Sequence, residues 1–518
     1  MKSLPRTASH GFTAAALCLV AWVAFTLVAR PLMLPDEGRY VGVAWEMLRS
    51  GEWLTPTLNG LPYFHKPPLF YWITATSLWL FGQHEWAARV ASLLGAALGA
   101  TAMYAFTRRW SSERAARASL VVLLAQPLWL IGGQFANLDM LVAGCISATI
   151  VLLAHAVLLA DHGKRWRAGL MGAWAMAALG VLAKGLIGFV LPAMVIFVWL
   201  VLRRRWRSLF SLLWWPGILI FLALTAPWFV AMQQRFPDFL DYFFVVQHFK
   251  RFAQGGFNNV MPFWFYPVVL CASFLPWLPW LVRAVRRKAA DESDTQQALR
   301  LLMLVWPMLV VGFFSLPQSK LLGYVLPAVP PLAFIVADGF LSKAPLSRGA
   351  LRLWWGAAGL ASVLSLGTLT WLTTHPTHAN KSTQDFAGVL KAQRSPEEPI
   401  VMLDSYYFDL PFYARLTAPV TLVQPWDDPQ LHRQDSQRKE LADAGQFDKA
   451  AAADRLLLPD ALPALLCRSA TTWVLGPTSA QARYPFLEGA TDMRHHNGAT
   501  LWRVDRSRPA MASALGCA

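Results

Sequence analysis

Leu34–Leu69 reads LPDEGRYVGVAWEMLRSGEWLTPTLNGLPYFHKPPL, the first water-facing loop in a chain that is otherwise mostly suited to hydrocarbon. Pro35 before Asp36 and Glu37 predicts a helix start, because proline suits the first helical position and carboxylates there face the positive end of the helix dipole. Gly51 predicts its end. Between them Val41, Ala44, Trp45 and Leu48 recur at helical spacing as one apolar stripe, while Asp36, Arg39 and Tyr40 share another face. The expectation is an amphipathic helix lying on a membrane surface, with the Asp36–Glu37 carboxylate pair at its exposed tip. Asn59–Gly60 predicts a tight turn. Tyr63, Phe64, His65 and Lys66 then bring an imidazole and a cation back to the membrane boundary before Pro67 and Pro68.

The rest of the chain sets the class. Of 518 residues 56% are hydrophobic and only 15% charged, with 25 Trp and a mean hydropathy of +0.39, as in a polytopic membrane protein with one modest water-soluble domain. A net charge of +16 invites a nucleic-acid reading, but the cations sit in short clusters between apolar spans, which excludes it. Gly11 to Ala29 reads as a retained signal anchor, since no small-residue cleavage site follows it. Ten further spans are expected at about 87–106, 115–131, 138–159, 167–182, 185–202, 209–232, 262–282, 298–314, 321–337 and 351–372. The clusters at Arg108–Arg117, Lys164–Arg167, Arg203–Arg207, Arg283–Lys288 and Lys343–Arg348 fall on one side with Lys2 and Arg6. By the positive-inside rule that side and the N-terminus are cytoplasmic. The first loop, about 31–86, and everything after about 373 then face the periplasm of a bacterial inner membrane.

Two domains follow: a membrane domain over 1–372 and a C-terminal domain over 373–518. In the latter, aliphatic runs at 399–403, 419–423, 471–475 and 500–504 predict strands, and 405–414 a short helix, hence a small α/β domain without a motif. The region 434–454 is charged, and helix and loose chain both fit it. Cys18, Cys145 and Cys271 lie in apolar spans and no CxxC occurs, so there is no metal or disulfide framework; Cys467 and Cys517 are free to pair in an oxidising compartment.

The ionisable residues of the outer side are few: Asp36, Lys66, Asp139, Lys184, His248, Arg251 and Lys320, each near an outer span end. Charges are expensive in hydrocarbon, so their gathering at one rim implies a polar cavity. Each taken singly has a plainer reading, a lysine or arginine that snorkels to headgroups or an aspartate that caps a loop.

Asp36-Glu37 with Arg39-Tyr40, Tyr63 and Lys66-Pro67, Asn137-Leu138-Asp139, His248 to Phe252, and Ser319-Lys320-Leu321 through Tyr324 and Leu326-Pro327 occur in one order. In these the chain resembles the membrane glycosyltransferases of the GT-C type, and within them the 4-amino-4-deoxy-L-arabinose lipid A transferases and the protein O-mannosyltransferase relatives. His65 departs from the pattern, standing where the arabinose transferases usually carry a glutamate. The resemblance implies a polytopic α-helical GT-C fold of about eleven to thirteen spans, with periplasmic loop helices and the small C-terminal domain. It implies an inverting transfer of a sugar from a polyprenyl (undecaprenyl) phosphate donor to a periplasmic acceptor, lipid A or another glycolipid, with a protein acceptor as the alternative.

Residue chemistry fills in the roles. Lipid phosphate gains negative charge as the anomeric bond breaks, and Lys66, Arg251 and Lys320 are the cations available to stabilise it. No glycine-rich phosphate loop is present. Asp36 is the candidate acceptor-side carboxylate, a base if the acceptor is a hydroxyl and an orienting charge if it is a phosphate. Asp139 is the candidate second acid, holding donor hydroxyls or an amino group. Glu37, Arg39, Tyr40, Tyr63, Lys184 and Tyr324 complete the substrate-binding set. No cofactor is required by these residues, although His65 and His248 together suit a divalent metal such as zinc. A flippase for lipid-linked sugars is the reading from another class; it fits less well, since charges are scarce in mid-span and no internal repeat is evident.

Overall fold

The computed structural model describes residues 20–250, with side chains through 247, and residues 259–287, 292–342, 346–375, 382–431 and 436–517. The protein is a multi-pass helical membrane protein carrying a mixed α/β domain at its C-terminus. Six helices among the described residues are long and apolar enough to cross a bilayer, the longest being Arg348–Thr374. Two further apolar helix pairs are sharply bent, Glu113–Ala125 with Pro127–Gly133 at 67° and Phe265–Ser273 with Leu275–Arg286 at 66°, each a broken span or a re-entrant loop. Pro127 and Pro276 sit at the breaks, where a missing N–H and a ring clash end the preceding helix. Each of the eleven predicted spans meets a helix, in whole or in its described part, but Ile187–Leu202 is shorter than a straight crossing needs.

Leu138–Asp161 runs through the middle of the bundle, buried along most of its length. The arginine-bearing helix ends gather at one end of the bundle. There Arg203 meets Asp161 and Asp294 at 3.1 and 3.3 Å, and Arg287 meets Asp338 at 3.0 Å.

At the other end lies the first loop. Its helix spans Asp36–Ser50, with Pro35 at the cap and Gly51 left-handed at the stop, both as the sequence predicts. Its setting is different. Val41, Ala44 and Trp45 are buried as expected, but so are Glu37, Gly38, Tyr40, Gly42 and Val43. The helix is packed on both sides instead of resting on a bilayer. A methyl group on Gly38 would stand 3.1 Å from the backbone nitrogen of Asp409, and one on Gly42 3.3 Å from the carbonyl of Phe408. These two glycines, one turn apart, let the backbone of the C-terminal domain dock closely against the helix.

The predicted turn forms a two-stranded hairpin, β1 (Thr57–Leu58) and β2 (Leu61–Pro62), with Asn59 and Gly60 at positive φ. Glu46 anchors it, accepting from Thr57 Oγ1 and from the backbone N–H groups of Asn59 and Gly60 at 2.9, 2.6 and 2.8 Å. The Asn59 side chain in turn exchanges two 2.9 Å hydrogen bonds with the backbone of Val420. The hairpin therefore joins loop to C-terminal domain.

That domain is built on a six-stranded sheet in the order β5-β4-β3-β6-β8-β7. β3 (Ile400–Leu403), β4 (Thr421–Val423), β6 (Thr471–Pro477) and β8 (Ala499–Asp505) match the predicted strands. β5 (Leu456–Leu457) and β7 (Thr491–His496) were not expected, the first being two residues long and the second a polar edge strand. β3, β4, β5 and β6 are parallel, and β8 runs antiparallel between β6 and β7. The predicted helix at 405–414 shrinks to Leu410–Tyr413, and the ambiguous charged region holds helices Gln437–Gly445 and Lys449–Arg455. Cys467 and Cys517 form a disulfide.

Candidate active site

Five stretches of the chain meet beneath Glu440 of the C-terminal domain. The first turn of the loop helix supplies Asp36, Arg39 and Tyr40; the chain after the hairpin supplies Tyr63, His65 and Lys66. The start of the Leu138–Asp161 helix supplies Asp139, beside Lys184 and Tyr324. They line a polar chamber of about 60 Å³. Four of them, Lys66, Asp139, Lys184 and Tyr324, also close one end of a larger cavity of about 410 Å³. Its other walls are mostly apolar: Val142, Ile146, Ile187, Val190, Phe313, Phe314 and Pro327. A long hydrocarbon chain and a charged headgroup are the two halves of one ligand that such a shape accepts.

Asp139 is set by local capping. Asn137 caps the helix, its Oδ1 accepting from the Asp139 N–H at 3.0 Å, and Ser92 Oγ donates to the Asn137 carbonyl at 3.0 Å. The carboxylate pairs with Lys184, whose ammonium lies 4.2 Å from the centre of the Tyr324 ring. Gly323 makes the approach feasible, since any Cβ there would overlap the Asp139 carboxylate. Tyr324 and Asp139 are thus held against each other by a residue with no side chain.

Arg39 sits between two carboxylates. It donates to Asp36 Oδ1 at 2.6 Å and, through one nitrogen, to both oxygens of Glu440 at 2.7 and 2.8 Å. Tyr63 also donates to Glu440, at 3.2 Å, and stacks on His65 with ring centres 4.5 Å apart. His65 Nε2 is 2.9 Å from the Tyr242 hydroxyl, to which Gln247 donates. Burial pushes the Asp36 carboxyl above its ordinary range, opposed by Arg39 and reinforced by Asp139, Glu440 and Glu37. Tyr40 and Tyr63 are pushed up as well, chiefly by burial, and remain neutral hydrogen-bonding groups.

Glu37 does not join this chamber. Its side chain is fully buried on the opposite side of the helix, where Arg30 and Arg89 both grip it. Burial alone would raise its pKa, but the two guanidiniums and the Ala136 N–H hold it down to about 2. The exposed carboxylate pair of the sequence reading therefore divides: Asp36 faces the chamber, and Glu37 is a structural anion. Consecutive helical residues point about 100° apart, which is enough to send them into different environments. Lys320 is corrected too. Its ammonium is turned to the carbonyls of Met261 and Pro317 and lines neither cavity, because the short extended pairing of Val260 with Ser319 presents those carbonyls to it. Arg251 and the side chain of His248 lie outside the described residues, so the zinc expectation keeps one placed member, His65. Among the described residues no group of three or more His, Cys, Asp and Glu could hold a metal.

The sequence reading missed Glu440, which no local signal marks: it sits in an ordinary helix capped by Ser436 and acquires meaning only across the domain boundary. Arg30 and Arg89 were missed as well, although a lone arginine at each end of an apolar stretch is a signal for a buried partner.

Residues 65–230 match the family described as dolichyl-phosphate-mannose-protein mannosyltransferase. An undecaprenyl phosphate-α-4-amino-4-deoxy-L-arabinose arabinosyl transferase from Edwardsiella ictaluri is 31% identical over 71% of this chain and 67% of its own length. The chain belongs to that arabinosyl transferase family. The protein of the same name from Erwinia tasmaniensis is 35% identical over 68% of this chain, and the match spans 64% of that relative's length. The fold agrees. The crystal structure of ArnT from Cupriavidus metallidurans bound to undecaprenyl phosphate superposes with a TM-score of 0.80, covering 95% of this chain and 98% of that one at 23% identity. The membrane domain thus has the GT-C architecture that the resemblance implied.

Proposed function

We propose that the protein is an inverting glycosyltransferase that moves 4-amino-4-deoxy-L-arabinose from an undecaprenyl phosphate carrier to a phosphate of lipid A. The observation that carries this is that the apolar cavity and the polar chamber share four lining residues, Lys66, Asp139, Lys184 and Tyr324. The isoprenoid tail occupies the apolar part, which places the sugar phosphate at the shared residues. Attack on the anomeric carbon forms the new C–O bond while the bond to the carrier phosphate breaks, leaving undecaprenyl phosphate with the departing electron pair. Lys66, with Lys184 beyond it, stabilises the growing charge of that phosphate, and Asp139 holds the sugar's amino group or hydroxyls.

With a phosphate nucleophile, already ionised near neutral pH, no proton need be removed, and Asp36 orients the acceptor and balances Arg39. A hydroxyl acceptor is the second reading. The upward shift of Asp36 favours it, since a more basic carboxylate is the better proton acceptor.

The chamber faces the periplasm of a bacterial inner membrane, with the membrane domain at 1–372 and the C-terminal domain at 373–518 outside; the family relationship, the cation-rich opposite end and the Cys467–Cys517 disulfide support this. The reading is tested by giving the purified protein a synthetic undecaprenyl-phosphate aminoarabinose donor and lipid A in one membrane. Mass spectrometry should show lipid A heavier by one aminopentose. Movement of the donor between leaflets without transfer would instead identify a flippase.

A further inference from the structure

At the end of the bundle away from the chamber, two short loops lie side by side. One runs from Asp161 to Arg167 and the other, which holds the short helix Ser208–Leu212, from Arg203 to Trp215. The guanidinium of Arg167 lies 5.9 Å from the ring centres of both Trp166 and Trp214, and these two rings are 6.4 Å apart. Arg207 lies 5.5 Å from the centre of Trp206. Asp161 is the acid of these loops, and it is taken by Arg203 at 3.1 Å and by Arg205 at 3.7 Å. Lys164, Arg165, Arg204 and Arg207 are exposed, and among the described residues none has a carboxylate within ion-pair distance. Beside them Phe210 is 70% and Trp215 68% exposed, with Trp206 and Leu213 more than half exposed.

We infer that this face is a binding site for anionic phospholipid headgroups. The tryptophans and Phe210 fix the depth of the loops at the boundary between headgroups and acyl chains. Arginines held over indole rings at these distances have N–H donors to spare for phosphate oxygens. Excess positive charge complements an anionic headgroup and discriminates against a zwitterionic one, each exposed cation contributing about fivefold in affinity near such a surface. The reading is independent of the reaction proposed above, because these loops touch no residue of the chamber.

The test uses full-length protein in nanodiscs containing phosphatidylcholine and phosphatidylglycerol, with retained lipid measured by native mass spectrometry. The wild-type protein should retain phosphatidylglycerol preferentially. Replacing Arg165, Arg204 and Arg207 by Gln together should cut that preference by on the order of a hundredfold at unchanged melting temperature. Replacing Lys391, Lys449 and Arg468 by Gln, exposed cations of the C-terminal domain at the opposite end, should leave it intact. Raising the salt from about 0.1 to 1 M should abolish it in the wild-type protein, which keeps the proposal testable should the triple variant fail to fold. A triple variant that retains phosphatidylglycerol as the wild type does, an equal loss in the control variant, or a salt-independent preference would each overturn the assignment.

Discussion

Replacing Glu37 by Gln tests the division of labour inside the Asp-Glu pair. The Glu37 carboxylate accepts six hydrogen bonds: two from Arg30 at 2.7 and 3.2 Å, two from Arg89 at 2.8 and 3.1 Å, and one each from the Met33 and Ala136 N–H groups at 2.9 and 2.8 Å. Both arginines are at most 1% exposed. A glutamine keeps one acceptor oxygen but turns an NH₂ toward guanidinium N–H groups and removes the only negative charge shared by the two cations. Breaking a buried ion pair from one side costs about 3–5 kcal/mol.

The pH behaviour gives a second route to the magnitude. A carboxyl held at about 2 against an ordinary 4.5 contributes stability above the higher value, of about 3 kcal/mol, and loses it as pH falls toward the lower one. The assay is thermal unfolding in detergent across pH 2–7, beside transfer activity. Glu37→Gln should melt well below the wild type at neutral pH, and the gap should narrow as the wild type is acidified through that window. A variant that melts like the wild type yet fails in transfer would refute the structural role and return Glu37 to the substrate.

Asp36→Asn should abolish transfer and leave the melting temperature unchanged; full activity in the purified variant would remove Asp36 from the mechanism. Glu440→Gln should lower kcat/KM by about ten- to a hundredfold through the loosened Arg39 and Tyr63, the loss expected of a charge-assisted hydrogen bond, with donor affinity little affected. Lys66→Ala should weaken donor binding by about 1.5–3 kcal/mol, and Lys66→Arg should restore it only in part, measured by titration with undecaprenyl phosphate. Single cysteines at Ser50 and Asp427 should label with an impermeant thiol reagent in spheroplasts and one at Arg165 should not; protection at Ser50 would overturn the proposed orientation.

What the sequence made legible was whatever depends on neighbours along the chain. Span-length hydropathy, Pro35 and Gly51 at the ends of the loop helix, the Asn59–Gly60 hairpin and four of the six C-terminal strands all rest on short-range rules, and all form. Seven ionisable residues were legible as a set because charge at span ends is rare, and the fold brings four of them together, Asp36, Lys66, Asp139 and Lys184. The failures share a different cause. Periodicity gave the loop helix one apolar stripe and laid it on a membrane surface, because it cannot see a second domain arriving at Gly38 and Gly42. The same blindness hid Glu440 and misplaced Lys320, whose partners lie at positions remote in sequence or on backbone carbonyls.

The two neighbouring carboxylates are nevertheless coupled. Arg30, gripped by Glu37, also donates to the Gln134 carbonyl at 2.6 Å, and Glu37 itself accepts from Ala136. Residues 134–136 are thereby pinned one step before Asn137, the residue that caps the helix at Asp139. The buried anion thus fixes the height at which the second acid stands in the chamber, while the residue before it supplies the first acid directly. A helix register that puts Asp36 in the chamber necessarily puts Glu37 among the arginines. The relative placement of the two chamber acids is therefore set by one short stretch of backbone, Asp36–Glu37.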